Sequence, residues 1–196
     1  LHILMKEMEM EIDSNPPIPP TGFVFHEGRV GSTLVANLLG SNPRSMMFSE
    51  SEPPVTVLTA CRGCSRKRQK EIFKDVITLM GRSPIHKYMF FKFQSITATQ
   101  MEIALEAFPD TAWSFIYRDP VQTMMSQVDP ALRGSKGPCL RSQRDKPKEI
   151  TEVLSQLTEG AASNEAWCAA HLNMLCNSAI HAYEKHGHRV STGDAE

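Results

Sequence analysis

Residues 21–39 read TGFVFHEGRVGSTLVANLL and combine a short apolar run, a glycine-containing turn and an apolar segment with helical spacing. The run at 23–25 has the length of a buried strand, and residues 33–39 repeat apolar side chains at the period of a helix. The turn therefore lies at 26–32. Because the first N–H groups of a helix have no intrahelical acceptor and carry the positive end of the helix dipole, this turn predicts an anion site.

Three residues at the end of the turn and the start of the helix are suited to binding a phosphate group. Gly31 lets the backbone approach a ligand closely, and Ser32 and Thr33 add hydroxyl donors to the backbone N–H groups. ATP-binding P-loops carry G-x-x-x-x-G-K-[ST], whereas this chain has His26 five positions before Gly31 and no lysine after it. The sequence therefore favours a phosphate-bearing ligand other than ATP, and a glycine turn without a ligand is the alternative.

A second strand-to-helix junction lies at residues 113–127, which read WSFIYRDPVQTMMSQ. The apolar run at 113–117 predicts a buried strand, and the Asp-Pro pair that follows is typical of a helix start. Arg118 then lies at the carboxyl end of the strand, and Ser126 lies two turns into the helix. A guanidinium and a hydroxyl in these places can bind a second phosphate.

The two segments, RVGSTL at residues 29–34 and YRDPVQTMMS at residues 117–126, together resemble the donor-binding motifs of the sulfotransferase family. These enzymes transfer a sulfonate group from 3′-phosphoadenosine 5′-phosphosulfate (PAPS) to a hydroxyl or amine. The first segment resembles their 5′-phosphosulfate loop, P-[KR]-[SA]-G-[ST]-T, and the second resembles their 3′-phosphate motif. The resemblance covers residues 21–129. It assigns to the donor the residues Arg29, Val30, Gly31, Ser32, Thr33, Leu34, Arg118 and Ser126.

The resemblance also implies catalytic cations. In-line transfer of a sulfonate needs a cation that neutralises charge on the bridging oxygen and a base that takes the proton of the acceptor. Arg29, at the start of the loop, and Lys92, at the end of a strand at 88–93, are the predicted cations. Cytosolic sulfotransferases carry K-T-H at the corresponding strand end, with His as the base, but this chain has Lys-Phe-Gln.

The base is predicted instead on the segment FSESEPP, residues 48–54. The tyrosylprotein and heparan sulfotransferase groups use a glutamate just past the strand that follows the phosphate-loop helix. Glu50 is the first choice, by resemblance to the tyrosylprotein group, and Glu52 is the second, by resemblance to the heparan group. His26 is a third candidate, and two merely solvated carboxylates are the alternative.

The order of predicted elements indicates the fold class. Strands at 23–26, 45–49, 88–93 and 113–117 alternate with helices at 32–40, 67–80, 98–108, 120–128, 149–158 and 163–185. This order predicts an α/β protein, and the resemblance makes it a three-layer sandwich with a central parallel sheet, the P-loop NTPase-like sulfotransferase fold. Residues 50–65 and 129–148 are predicted loops.

The domain organisation follows from the same pattern. The proline-rich residues 1–20 are predicted to be an extended N-terminal segment, and residues 21–196 a single sulfotransferase-like domain. Sulfotransferases continue through a further strand and a basic glycine-containing loop that covers the nucleotide, and the chain ends without them. We therefore expect the domain to lack its C-terminal part.

Composition limits the partners. The 196 residues hold 21 Lys and Arg against 22 Asp and Glu, and this balance indicates no general surface for nucleic acid. No run of 18 apolar residues predicts a membrane span. Five cysteines, an odd number, do not suggest a disulfide framework. The C-x-x-C at 61–64 lacks a second ligand pair for zinc, so loop thiols or a local disulfide are favoured over a metal.

Three functions remain open. The first is a PAPS-dependent sulfotransferase acting on a small-molecule, carbohydrate or protein acceptor, without a metal. The second is a catalytically inactive relic of the fold that binds PAPS or its product, favoured by the absent K-T-H and closing loop. The third is a P-loop nucleotide kinase, disfavoured because no lysine follows Gly31. The cysteine content favours the cytoplasm, with the Golgi lumen as the alternative if an N-terminal anchor is missing.

Overall fold

Strands and helices alternate along the chain in a computed structural model that describes residues 16–61, 63–129, 137–144, 147–157 and 162–187. In chain order the elements are β1 (Gly22–His26), α1 (Ser32–Gly40), β2 (Ser45–Ser49), α2 (Glu52–Ala60), α3 (Arg66–Met80), β3 (Tyr88–Lys92), a 3₁₀ helix (Ser95–Gln100), α4 (Met101–Ala107), β4 (Ala112–Ile116), α5 (Pro120–Val128), α6 (Pro138–Ser142), α7 (Lys148–Leu157) and α8 (Asn164–His186). The first fifteen residues, three quarters of the predicted N-terminal segment, lie outside the described residues.

The four strands form one parallel sheet flanked by helices, in the order β2-β3-β1-β4. This confirms the α/β class with a central parallel sheet. Val24 of β1 and Ser49 of β2 are both register partners of Lys92, the last residue of β3. Lys92 therefore ends an inner strand at the carboxyl side of the sheet, where ligands of parallel α/β folds bind.

The described residues divide into two compact units, of which the first contains residues 16–24, 33–93 and 102–114. An aromatic cluster forms its core. Phe23 of β1 packs edge-on against Phe73 of α3 at 6.4 Å between ring centroids, and against Phe108 at 6.0 Å. Such tilted pairs stabilise a core beyond the area that they bury. The sequence predicts one apolar face for α3, with Ile72, Phe73, Val76, Ile77 and Met80. Two residues of that face, Phe73 and Ile77, are fully buried.

The second unit contains residues 25–32 and 94–101, and the described residues from 115 onward. Its core surrounds α8, where Trp167 and Leu175 pack with Ile150 of α7 and Ala98 of the 3₁₀ helix. Ser163 caps α8 by accepting a hydrogen bond from the N–H of residue 166 at 3.2 Å.

Two predicted loops contain helices. Residues 52–60 form α2, although Pro53 and Pro54 suggested a break. Proline fits the first helical turn, where the backbone N–H has no acceptor in any case. Residues 138–142 form α6 in the same way, with Pro138 at its start, and the remainder of the predicted loop at 129–148 lies partly outside the described residues.

Other predictions were wrong in detail. The helix predicted at 98–108 is split into a 3₁₀ helix and α4. The apolar spacing along 163–185 predicts that Ile180 is buried, and Met125 is predicted to fill the core, but they are 54% and 63% exposed. The Cys61–Cys64 disulfide agrees with the local disulfide that was one of the two favoured readings of the C-x-x-C. The second disulfide, Cys139–Cys168, goes against the expectation of no disulfide framework. None of the helices in the described ranges combines the length and apolar character needed to cross a membrane.

Candidate functional site

The turn between β1 and α1 has an unusual backbone. Gly28, Arg29 and Gly31 have φ angles of 89°, 64° and 83°, which lie in the left-handed region. That region is strained for a residue with a Cβ atom, and such strain concentrates at functional sites. Apart from its two chain neighbours, no residue in the part of the chain that the structure describes would come within 4 Å of a Cβ atom added at Gly31. The face of Gly31 is thus open to a ligand, directly before α1 begins at Ser32.

The side chains of the turn differ in exposure. Arg29 is half-buried, and its Nε is buried without a hydrogen-bond partner in the described part of the chain. A buried N–H group without an acceptor is costly, so an anion that accepts from it would be favoured. Ser32 is 5% exposed, Thr33 is exposed and Leu34 is 64% exposed. Among these residues, Arg29 is therefore the one whose buried N–H group lacks an acceptor in the described part of the chain, and a bound anion would supply that acceptor.

Glu27, which the sequence analysis missed, links the turn to the second motif. It is 2% exposed. Its Oε1 accepts hydrogen bonds from the backbone N–H of Arg118 at 3.0 Å and from Thr123 Oγ1 at 3.1 Å. Its Oε2 accepts one from Cys176 Sγ at 3.2 Å. The sequence does carry a signal for Glu27, since a carboxylate directly follows a short apolar strand at the carboxyl end of that strand.

The Glu27 carboxylate also affects the chemistry of Cys176. Burial, together with the hydrogen bond to and the charge of Glu27, raises the pKa of the Cys176 thiol to about 12. The thiolate is the nucleophilic form of cysteine, so this side chain is protonated and unreactive at neutral pH.

His26 is held in a way that disfavours it as a base. Its ring is buried, and its Nδ1 accepts a hydrogen bond from the backbone N–H of Gly28 at 3.0 Å. The neutral ring must therefore carry its proton on Nε2, and the Nδ1 lone pair is already engaged. The structure leaves neither nitrogen of His26 ready to take a proton from an acceptor.

Arg118 and Ser126 lie where the sequence predicted, after β4 and on α5. Asp119 caps α5, because its Oδ1 accepts a hydrogen bond from the N–H of Gln122 at 2.9 Å. The side chain of Arg118 is exposed and that of Ser126 is half-buried. Both belong to the same compact unit as Arg29, Val30, Gly31 and Ser32, so six of the eight predicted donor-binding residues share one unit.

Glu50 and Lys92 meet in the first unit. Lys92 is 2% exposed, and its ammonium forms an ion pair with Glu50 Oε1. The backbone N–H of Glu50 also donates to the carbonyl oxygen of Lys92 at 2.7 Å. Glu50 has a φ of 54° and a side chain that is 46% exposed. The arrangement combines a buried cation with a carboxylate that solvent reaches, held by a strained backbone.

Glu52 does not join this pair. It is the first residue of α2, and its Oε2 accepts a hydrogen bond from Thr56 Oγ1 at 3.4 Å. A carboxylate in the first turn is favoured by the helix dipole, which gives Glu52 a sufficient structural role. Among the predicted bases, Glu50 is the one that contacts a predicted cation.

No protein-family model and no curated protein matches the chain. Its function must therefore be argued from the residues and contacts above.

Proposed function

We propose that the protein is a sulfotransferase that moves a sulfonate group from PAPS to a hydroxyl or amine of an acceptor, on a sulfotransferase-type P-loop-like fold. The observation that carries the proposal is the strained turn before α1, where the buried Nε of Arg29 has no hydrogen-bond partner among the described residues. Its resemblance to the phosphosulfate loop accounts for both features, because each favours a bound anion.

The donor is assigned to two groups of residues. Arg29, Gly31, Ser32 and the N–H groups that begin α1 would bind the 5′-phosphosulfate. Arg118 and Ser126 would bind the 3′-phosphate through a charge-assisted contact and a hydroxyl. The exposed guanidinium of Arg118 is accessible to such a ligand.

The chemical step is assigned to Glu50 and Lys92. Glu50 would take the proton from the acceptor, whose oxygen or nitrogen forms a bond to sulfur as the bond from sulfur to the bridging phosphate oxygen breaks. The leaving oxygen keeps the bonding electron pair, and the Lys92 ammonium would neutralise its charge.

Calorimetry with adenosine 3′,5′-bisphosphate (PAP), the product nucleotide, tests the donor assignment. A charge-assisted hydrogen bond contributes about 1.5–3 kcal/mol, so Arg118→Ala should weaken binding by roughly 10- to 100-fold. Ser126→Ala should weaken it less. Arg68→Ala, which removes an exposed arginine of α3, is the control and should leave the affinity unchanged. Equal effects of the two arginine variants would contradict the assignment.

Transfer from labelled PAPS across a panel of acceptors separates the enzyme from an inactive relic. The proposal predicts transfer that Glu50→Gln reduces by a factor of about 100 or more, the scale of general base catalysis. Nucleotide binding with no transfer to any acceptor, and no effect of Glu50→Gln, would favour the relic.

A further inference from the structure

We infer that Glu27 is a positioning residue, whose buried carboxylate holds the Arg118 backbone in place and thereby sets the affinity for the 3′-phosphate of the nucleotide. The inference rests on the proposed function, because Arg118 is the residue assigned to that phosphate. Glu27 itself would not touch the ligand.

The contacts of Glu27 join three segments of the second unit. The carboxylate follows β1, and a single oxygen, Oε1, accepts from residues on both sides of the start of α5: the N–H of Arg118 and the hydroxyl of Thr123. The other oxygen accepts from Cys176 on α8. Fixing both flanks of a helix start fixes the direction in which the preceding residue leaves the strand.

All three donors to Glu27 in the described part of the chain are neutral groups. Burying a carboxylate without a cationic partner costs free energy of folding, and packing alone would be satisfied by an apolar side chain at this position. Near an anion site its charge would in addition oppose binding. What the carboxylate can contribute to binding is therefore its geometry, because one acceptor oxygen lies between the Arg118 N–H and the Thr123 hydroxyl.

The side chain of Arg118 is exposed and has no comparable support in the part of the chain that the structure describes. Its guanidinium can meet a phosphate in a defined geometry only if its backbone is held. The hydrogen bond from the Arg118 N–H to Glu27, at 3.0 Å, supplies that restraint.

Two nucleotides that differ only in the 3′-phosphate test the inference: PAP and adenosine 5′-monophosphate (AMP). We expect Glu27→Ala to weaken PAP binding about tenfold or more and AMP binding by less than about threefold. Glu27→Gln keeps the Oε1 acceptor and should retain PAP affinity within about threefold. Thr123→Val keeps the Arg118 hydrogen bond and should fall between these two variants.

A thermodynamic cycle adds a readout that general destabilisation would not move. If Glu27 acts through Arg118, the variant with both Glu27→Ala and Arg118→Ala should bind PAP no more weakly than Arg118→Ala alone. Equal losses for PAP and AMP, or additive losses in the double variant, would overturn the inference. Circular dichroism checks that each variant is folded. If Glu27→Ala does not fold, the PAP and AMP affinities of Glu27→Gln decide whether the inference holds.

Hydrogen exchange separates this inference from the proposed function. Without nucleotide, the Arg118 amide should exchange faster in Glu27→Ala than in Glu27→Gln, because only the alanine variant lacks its acceptor. If the unaltered protein binds neither nucleotide, the proposed function fails and the phosphate part of the inference fails with it. Unchanged exchange at Arg118 would separately overturn the positional claim.

Discussion

Replacing Glu50 with alanine should destabilise the protein, because it removes the carboxylate that pairs with the Lys92 ammonium. Lys92 is 2% exposed, and Glu50 is its ion-pair partner. Removing one partner of a fully buried pair costs about 3–5 kcal/mol. The Glu50 side chain is 46% exposed, so water screens the interaction, and we expect a loss of about 2 kcal/mol in the free energy of unfolding.

Lys92→Met supplies the matched background for this measurement. Methionine retains an unbranched apolar side chain and removes the ammonium, so Glu50→Ala should then cost less than about 0.5 kcal/mol. Urea unfolding gives both values. With a slope of about 2 kcal/mol per molar urea, Glu50→Ala alone should lower the midpoint by about 1 M. An equal cost of Glu50→Ala in both backgrounds would refute the reasoning, since it would show that the pair contributes nothing.

Two further predictions concern strain and pH. Gly31→Ala and Gly63→Ala each introduce a Cβ atom at a left-handed position, where the described residues other than the chain neighbours leave open space. Each variant should therefore lower the free energy of unfolding, measured in urea, by about 1–2 kcal/mol, but only Gly31→Ala should weaken PAP binding. Burial lowers the pKa of His171 from 6.5 to about 4, so the unfolded state takes up a proton first as the pH falls. Stability should therefore be full above pH 6.5 and fall by about 3 kcal/mol between pH 6.5 and 4, and His171→Asn should remove this fall. If the unfolding free energy of the unaltered protein did not change between pH 6.5 and 4, the His171 prediction would be contradicted. Equal loss of PAP binding in both glycine variants would contradict the prediction for Gly31.

The sequence predicted the elements whose signals are local. Helix α1 and strand β2 have the predicted bounds, because apolar periodicity and turn residues act within a few positions. Helix α2 was missed because two prolines suggest a break unless they fall in the first helical turn. The exposure of Ile180 depends on which neighbours α8 packs against, and helical periodicity alone does not specify them.

The candidate site divides in the same way. The contact between Glu50 and Lys92 agrees with the prediction that Lys92 lies at the end of one strand and Glu50 just past another, because Ser49 and Lys92 are register partners in neighbouring parallel strands. Glu27 was missed because its partners lie 91, 96 and 149 residues further along the chain. No local pattern reports contacts at such separations.

Calorimetric titration of the full chain with PAP in the absence of metal, compared with ATP and magnesium, tests the central claim most directly. The proposed phosphosulfate loop and 3′-phosphate site predict that PAP binds at least about tenfold more tightly than ATP, since one charge-assisted contact to the 3′-phosphate supplies that factor. Failure to bind PAP, or magnesium-dependent binding of ATP that is tighter than that of PAP, would contradict the account.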